Sequence, residues 1–274
     1  KIAKKPRKGT VMPPGRAHAH VAAGPADFQP RRIPLRDPDY PKPGEIHAWF
    51  LDLNEMAGSL RAALDDPGSE PGAAAFTPGQ LTFTRRFYLR LLLGAYLGLP
   101  GKAIRIIRNR KGKPILDPGV HGGDLHFSIA KSGPGFLVGV SSTSYLGVDI
   151  EPADRVAHNA LGVARRYFSE AEASSLAALT PDQLVPAFLR TWSCKEAVVK
   201  SLGLGIANQL CRFTVDIDPA NPAAILQFDG EDPAAWWLQM IRPAENFIGA
   251  IATRSSPVTL RSFRMKPAEG AGGR

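Results

Sequence analysis

Cysteine is nearly missing from this chain. Cys194 and Cys211 are the only two in 274 residues, and they form no CxxC. Two cysteines cannot build a zinc cage unaided, so they read as free thiols in a reducing compartment. Histidine is also scarce. Two of its six residues, His18 and His20, sit in the amino-terminal tail, and HExxH does not occur. No apolar run is long enough to span a bilayer, because residues 89–99 are broken by Arg90 and Gly94. The basic, Pro-rich start is not followed by the hydrophobic core of a signal peptide. A soluble, cytoplasmic protein is expected.

What is present is an ordinary globular composition, 44% hydrophobic, with a net charge of +9. The length suits one large domain or two small ones. A basic balance favours polyanionic partners. Much of it lies in Lys1, Lys4, Lys5, Arg7, Lys8, Arg16, Arg31, Arg32 and Arg36, where it reads as a solvated arm. Residues 1–44 lack hydrophobic periodicity and are expected to be disordered. Residues 266–274 form a Gly-rich tail.

Between the tails the pattern is α+β. Residues 46–53 read as a strand, 65–80 as a loop of Pro-Gly turns, 79–98 as a helix and 103–108 as a strand. The basic turn at 109–114 follows, and it is not a Walker A loop because GxxxxGK(S/T) is absent. Residues 126–129 and 136–141 form a hairpin with Lys131 at its mouth. In 146–151, Leu146, Val148 and Ile150 face one way and Gly147, Asp149 and Glu151 the other. Ser169 and Glu172 form a capping box for a helix to about 179. Thr180, Pro181 and Gln183 open a longer helix that Gly203 and Gly205 stop, with a bend or restart expected at Pro186. Strands are expected at 211–217, 224–228, 236–242, 247–252 and 258–264. The order implies two similarly built halves, 45–143 and 144–265, each a small sheet packed on a long helix.

Two stretches carry chemistry. Phe188, Trp192, Glu196 and Lys200 recur every four residues, so they share one side of the long helix. By itself this is an ordinary i,i+4 Glu–Lys pair. Asp149 and Glu151 share one strand face, where they repel unless a cation sits between them. Three acids without Cys or His point to Mg²⁺ or Mn²⁺ rather than Zn²⁺. Lysines beside them (Lys113, Lys131, Lys195, Lys200), with Arg86 and Arg90, suggest a phosphate-rich ligand and a phosphoryl-transfer site.

Gly147-Val148-Asp149-Ile150-Glu151, followed by Trp192-Ser193-Cys194-Lys195-Glu196-Ala197-Val198-Val199-Lys200, resembles the paired signature of the 4'-phosphopantetheinyl transferases. The two-half layout resembles the larger Sfp-type members. Gly112-Lys113-Pro114, residues 127–132 and Tyr167-Phe168-Ser169-Glu170 with Arg165 and Arg166 support it, and the resemblance covers roughly 46–252. It implies two pseudo-symmetric halves with coenzyme A in the cleft between them. It also implies transfer of the phosphopantetheine arm to a serine of an acidic acyl, peptidyl or aryl carrier protein, by a monomer. Mapped by motif, Asp149, Glu151 and Glu196 would bind Mg²⁺. Glu196, directly or through a water, would help take the serine proton. Lys200 would stabilise the leaving phosphate and Lys195 would contact the pyrophosphate. Lys113 and Pro114 would reach the adenosine-side phosphate, with Arg86 helping. The family's usual Ser-His is here Ala130-Lys131, which puts an ammonium where an imidazole is expected. The pathway served is left open.

Two other readings compete. A coenzyme A-binding homologue without turnover draws on Ala130-Lys131. A nucleic-acid binder draws only on net charge, and neither an RRM-type aromatic signature nor a helix-turn-helix accompanies it.

Overall fold

The computed structural model describes residues 27–36, 38–56, 77–143, 145–203, 209–254 and 258–268. The first part of the expected tail, most of the Pro-Gly loop, Gly205 and residues 269–274 lie outside them.

Two units of the same build stand back to back. In the first, β2 (Glu45–Asp52) leads to α1 (Pro78–Leu97) and the ribbon β3 (Ile106–Arg108) and β4 (Pro114–Leu116). The single turn α2 (Pro118–His121) follows, then the hairpin β5 (His126–Ser132) and β6 (Gly135–Ser141). In the second, β7 (Leu146–Pro152) leads to α3 (Ala160–Tyr167), α4 (Glu170–Ala177) and α5 (Pro181–Leu202). The ribbon β8 (Phe213–Val215) and β9 (Ile225–Phe228) follows, then the hairpin β10 (Trp237–Ala244) and β11 (Phe247–Thr253). The first strand of each half pairs antiparallel with the second strand of its hairpin, giving orders β2-β6-β5 and β7-β11-β10. The fold is α+β with two pseudo-symmetric halves.

The last strand departs from the expected partition. β12 (Thr259–Lys266) was assigned by chain order to the C-terminal half, yet it runs parallel beside β2 in the N-terminal sheet. Beyond it, β1 (Gln29–Arg32) adds a second parallel strand. That corrects the reading of 1–44 as wholly disordered. All four β1 residues are exposed. Without a buried face they show no alternation, and the edge of β12 is what makes them a strand.

The layers run helix, sheet, sheet, helix. Tyr88, Leu89, Leu92 and Tyr96 of α1 pack on Trp49, Leu51, Phe127 and Phe263 of the first sheet. Ile46, Phe50 and Leu137, on its other face, meet Leu146, Val148 and Ile150 of β7. Phe188, Cys194 and Val198 of α5 cover Leu238, Ala250 and Ala252 of the second sheet. Sheets buried on both faces cannot alternate apolar with polar, which is why β2 reads as a nearly continuous apolar run.

Local rules set the helix ends. Thr77 and Gln80 cap α1 reciprocally, and Gly98 closes it at φ 63°. In α5 the Gln183 carbonyl accepts from the Thr180 hydroxyl at 2.9 Å, and Gly203 stops the helix at φ 64°. The helix does not restart at Pro186 but runs on through it. Pro186 is the sixth helical residue, so the ladder loses a single bond, the one to the Asp182 carbonyl, and the turns on either side carry the helix through. Two expected strands are shorter, each preceded by a 3₁₀ turn, at Gly101–Ala103 and Leu210–Arg212. Helix α3 was not anticipated. Among the described residues no helix is long and apolar enough to cross a membrane.

Candidate active site

Gly147 brings the site's two elements together. A Cβ there would lie 1.8 Å from the Ala197 carbonyl oxygen and 2.5 Å from the Ser201 nitrogen. Only a missing side chain lets β7 approach α5 backbone to backbone. That approach sets Asp149 opposite the turn of α5 that carries Glu196 and Lys200.

Asp149 and Glu196 meet at Lys200. The Lys200 ammonium donates to Asp149 Oδ1 at 2.6 Å and lies 3.9 Å from Glu196 Oε2. Both acids are only 5% exposed, and Asp149 Oδ2 and Glu196 Oε1 have no hydrogen-bond partner. Burial pushes Asp149 up to about 6 against the pull of Lys200. It pushes Glu196 up to about 7, with the other two acids adding to the rise. The expected stripe is real, since Phe188 and Trp192 stack one turn apart at 6.1 Å before the charges begin.

Glu151 stands differently. Arg155 holds its Oε1 at 2.5 Å and the Ser132 hydroxyl donates to its Oε2 at 3.3 Å. Among the described residues no three acids, histidines or cysteines are grouped as a ready-made metal cage. The expected closed triad is therefore two acids at one ammonium, with the third engaged by a guanidinium. The two orphaned oxygens do fit a divalent cation, because buried acceptors with no donor call for one.

Lys195 corrects the sequence reading outright. It is fully buried on a different face of α5, towards Glu172 and Phe213. Its ammonium donates to the carbonyls of Leu210 at 2.6 Å and Phe213 at 2.5 Å and pairs with Glu172 at 2.8 Å. Burial lowers its pKa and Glu172 opposes that. Three acceptors use its three protons, so none is left for a pyrophosphate. Glu172 is the capping residue of α4 and also accepts from Val215 N, so Lys195 ties α5 to α4 and β8.

Lys113 reaches across the halves. Its ammonium donates to the Leu146 carbonyl at 2.8 Å, and burial lowers its pKa to about 8. With Gly112, Pro114, Ser128, Lys200 and Gly203 it lines a cleft of about 250 Å³. Ser128 Oγ accepts from Val148 N at 3.2 Å, joining β5 to β7 along the same seam. A larger cavity, about 470 Å³, is lined by Pro34, Leu35, Arg36, Pro38, Trp49 and Phe263 among others, and holds none of the sequence-predicted site residues.

Comparison with known proteins bears on this arrangement. The model of the 4'-phosphopantetheinyl transferase superfamily matches residues 145–252, the stretch that carries β7 and α5. The 4'-phosphopantetheinyl transferase HetI of Nostoc sp. is 30% identical over 213 residues, 76% of this chain and 87% of that protein. This chain belongs to the 4'-phosphopantetheinyl transferase superfamily. A 4'-phosphopantetheinyl transferase of Bacillus subtilis is 32% identical over 163 residues, covering 54% of this chain and 70% of that protein. The human L-aminoadipate-semialdehyde dehydrogenase-phosphopantetheinyl transferase is 25% identical over 198 residues, 64% of each chain. The Sfp-type reading of the layout agrees with these likenesses.

Around the centre of this superfamily member, Lys131 is exposed beside the β5–β6 turn. Arg86 and Arg90 lie exposed on α1, whereas their neighbour Arg85 donates to the Gly133 carbonyl. Sequence reasoning passed over Arg85 and Arg155, and it took Ser128 and Ser132 only as part of the 127–132 motif, without a role of their own. The Arg85-Arg86 doublet was the available signal for the first. For Arg155, its i,i+4 spacing from Glu151 was the signal.

Proposed function

We propose that this protein transfers the 4'-phosphopantetheine group of coenzyme A to a serine hydroxyl on an apo acyl, peptidyl or aryl carrier protein. The serine oxygen forms a bond to the pantetheine-bearing phosphorus. The phosphoanhydride bond breaks, and adenosine 3',5'-bisphosphate leaves. The observation that carries this reading is the meeting of Asp149 and Glu196 at the Lys200 ammonium beside the Lys113 cleft.

Each residue has a task under this reading. Glu196 has an unpartnered oxygen facing the site, which suits it to accept the serine proton, directly or through a water. Lys200 supplies positive charge where the leaving phosphate gains negative charge. Lys113 and Pro114 flank the cleft where the adenosine-side phosphate would lie, and the exposed Lys131 and Arg86 are further cations that a phosphate could recruit. Asp149 and Glu196, joined by Glu151 once it leaves Arg155, would hold Mg²⁺ or Mn²⁺. When bound, such an ion supplies further positive charge to the diphosphate. The reading extends to a monomer acting in the cytoplasm, with a net charge of +9 aiding encounter with an acidic carrier.

The test is carrier loading. Purified protein, coenzyme A, Mg²⁺ and an apo carrier protein should yield a carrier heavier by one phosphopantetheine in the mass spectrum. Coenzyme A binding without a mass gain on several carriers would support the non-catalytic reading instead.

A further inference from the structure

The three acids are not equivalent in the resting protein. Asp149 and Glu196 each keep one buried oxygen outside any hydrogen bond of good geometry, with the neutral Ser193 hydroxyl near Asp149. Glu151 has both oxygens engaged, one by Arg155 and one by Ser132. Arg155 comes from the turn that follows β7, where its own N–H donates to the Pro152 carbonyl at 3.2 Å. Its side chain is 44% exposed, while that of Glu151 is 10% exposed. A solvent-facing cation is therefore parked on a nearly buried acid.

From this we infer that Arg155 is an internal competitor for the divalent cation, a positioning residue that holds Glu151 out of the ligand set until an ion displaces it. The inference rests on reading Asp149, Glu151 and Glu196 as a divalent-cation site. Physically, Glu151 cannot give full charge to an ion while a guanidinium neutralises it. A half-exposed ion pair is weak enough to be broken by a divalent ion, since such pairs are screened by water. Lys200 plays a different part, because it lies between Asp149 and Glu196 and belongs to the reaction itself. Ser132 donates only a neutral hydroxyl and can stay on Glu151 when the ion arrives.

The experiment is a titration of the full-length protein with Mn²⁺ alone, following free Mn²⁺ by electron paramagnetic resonance, with no coenzyme A present. Arg155→Ala should bind Mn²⁺ about two- to fivefold more tightly than the wild type, the range expected for an exposed pair. Arg155→Lys should stay close to the wild type. Adding Glu151→Gln to Arg155→Ala should erase the gain. If wild type and Arg155→Ala bind Mn²⁺ equally, or the variant binds it more weakly, the inference fails while the cation site stands. If neither the wild type nor any variant binds Mn²⁺, the cation-site reading fails and takes this inference with it. Circular dichroism of each variant guards against a folding artefact, since an exposed turn arginine is not part of any core.

Discussion

Lys195 and Glu196 are neighbours in the chain, about 100° apart around α5, and serve different faces of it. Lys195 enters the core to meet Glu172 at 2.8 Å, and Glu196 faces Lys200 and the strand acid Asp149. One lysine of the motif is thus structural and the other lines the site.

Replacing Lys195 should therefore act on stability first. Lys195→Met leaves Glu172 buried without its cation and two carbonyls without a donor, which costs about 3–5 kcal/mol. Urea denaturation should show the loss. Lys200→Met should instead remove carrier loading with a smaller change in the urea midpoint. Equal stability losses in the two variants would contradict the division of labour.

Gly147 offers a steric test. An added methyl meets the Ala197 carbonyl at 1.8 Å, and a backbone atom cannot move aside as a side-chain tip would. Gly147→Ala should lower stability by at least about 1–3 kcal/mol and separate Asp149 from Lys200. Thermal unfolding and carrier loading should fall together. A variant with wild-type melting and activity would show that β7 and α5 are not in contact at this point.

The raised carboxyls set a pH dependence. Asp149 at about 6 and Glu196 at about 7 keep protons in the folded protein that the unfolded chain has already lost. The folded state then binds more protons, so stability falls as pH rises from about 4 to about 7. In EDTA, the urea midpoint should fall across that window relative to an Asp149→Asn, Glu196→Gln double variant. Excess Mg²⁺ should restore the wild type at the upper end. A difference that stays flat with pH would mean the two carboxyls are ordinary.

Lys113 makes a prediction in the other direction. Burial lowers its pKa to about 8, so it loses its charge as pH rises through that value. The KM for coenzyme A should increase above pH 8 while kcat changes less. Lys113→Arg should flatten the rise, because a guanidinium stays charged. Lys113→Ala should raise KM at every pH. A KM profile shared by wild type and Lys113→Arg would remove Lys113 from the coenzyme A cleft.

Much of this was legible in the residues. Thr180 with Gln183 and Ser169 with Glu172 mark helix starts by local hydrogen bonding alone. Gly147, Asp149 and Glu151 mark a strand face by alternation. Other features were not legible, because neighbours from distant sequence create them. Gln29–Arg32 is a strand only beside β12, and β12 joins the first sheet only because the chain returns to it. Helix α3 runs for only eight residues, and no side-chain cap bond at Asn159 marks its start, so no local start signal announced it.

Read by itself, the chain determined the order of most of its elements, the motifs that put acids and lysines on β7 and α5, and the family they resemble. These depend on caps, turns and side-chain periods, which act over a few residues. Only the folded structure decided which lysine enters the core, that Arg155 and Ser132 hold Glu151, and that Lys113 crosses to Leu146. Those choices depend on what each side chain finds across a gap closed by distant segments, and no spacing within one element encodes that.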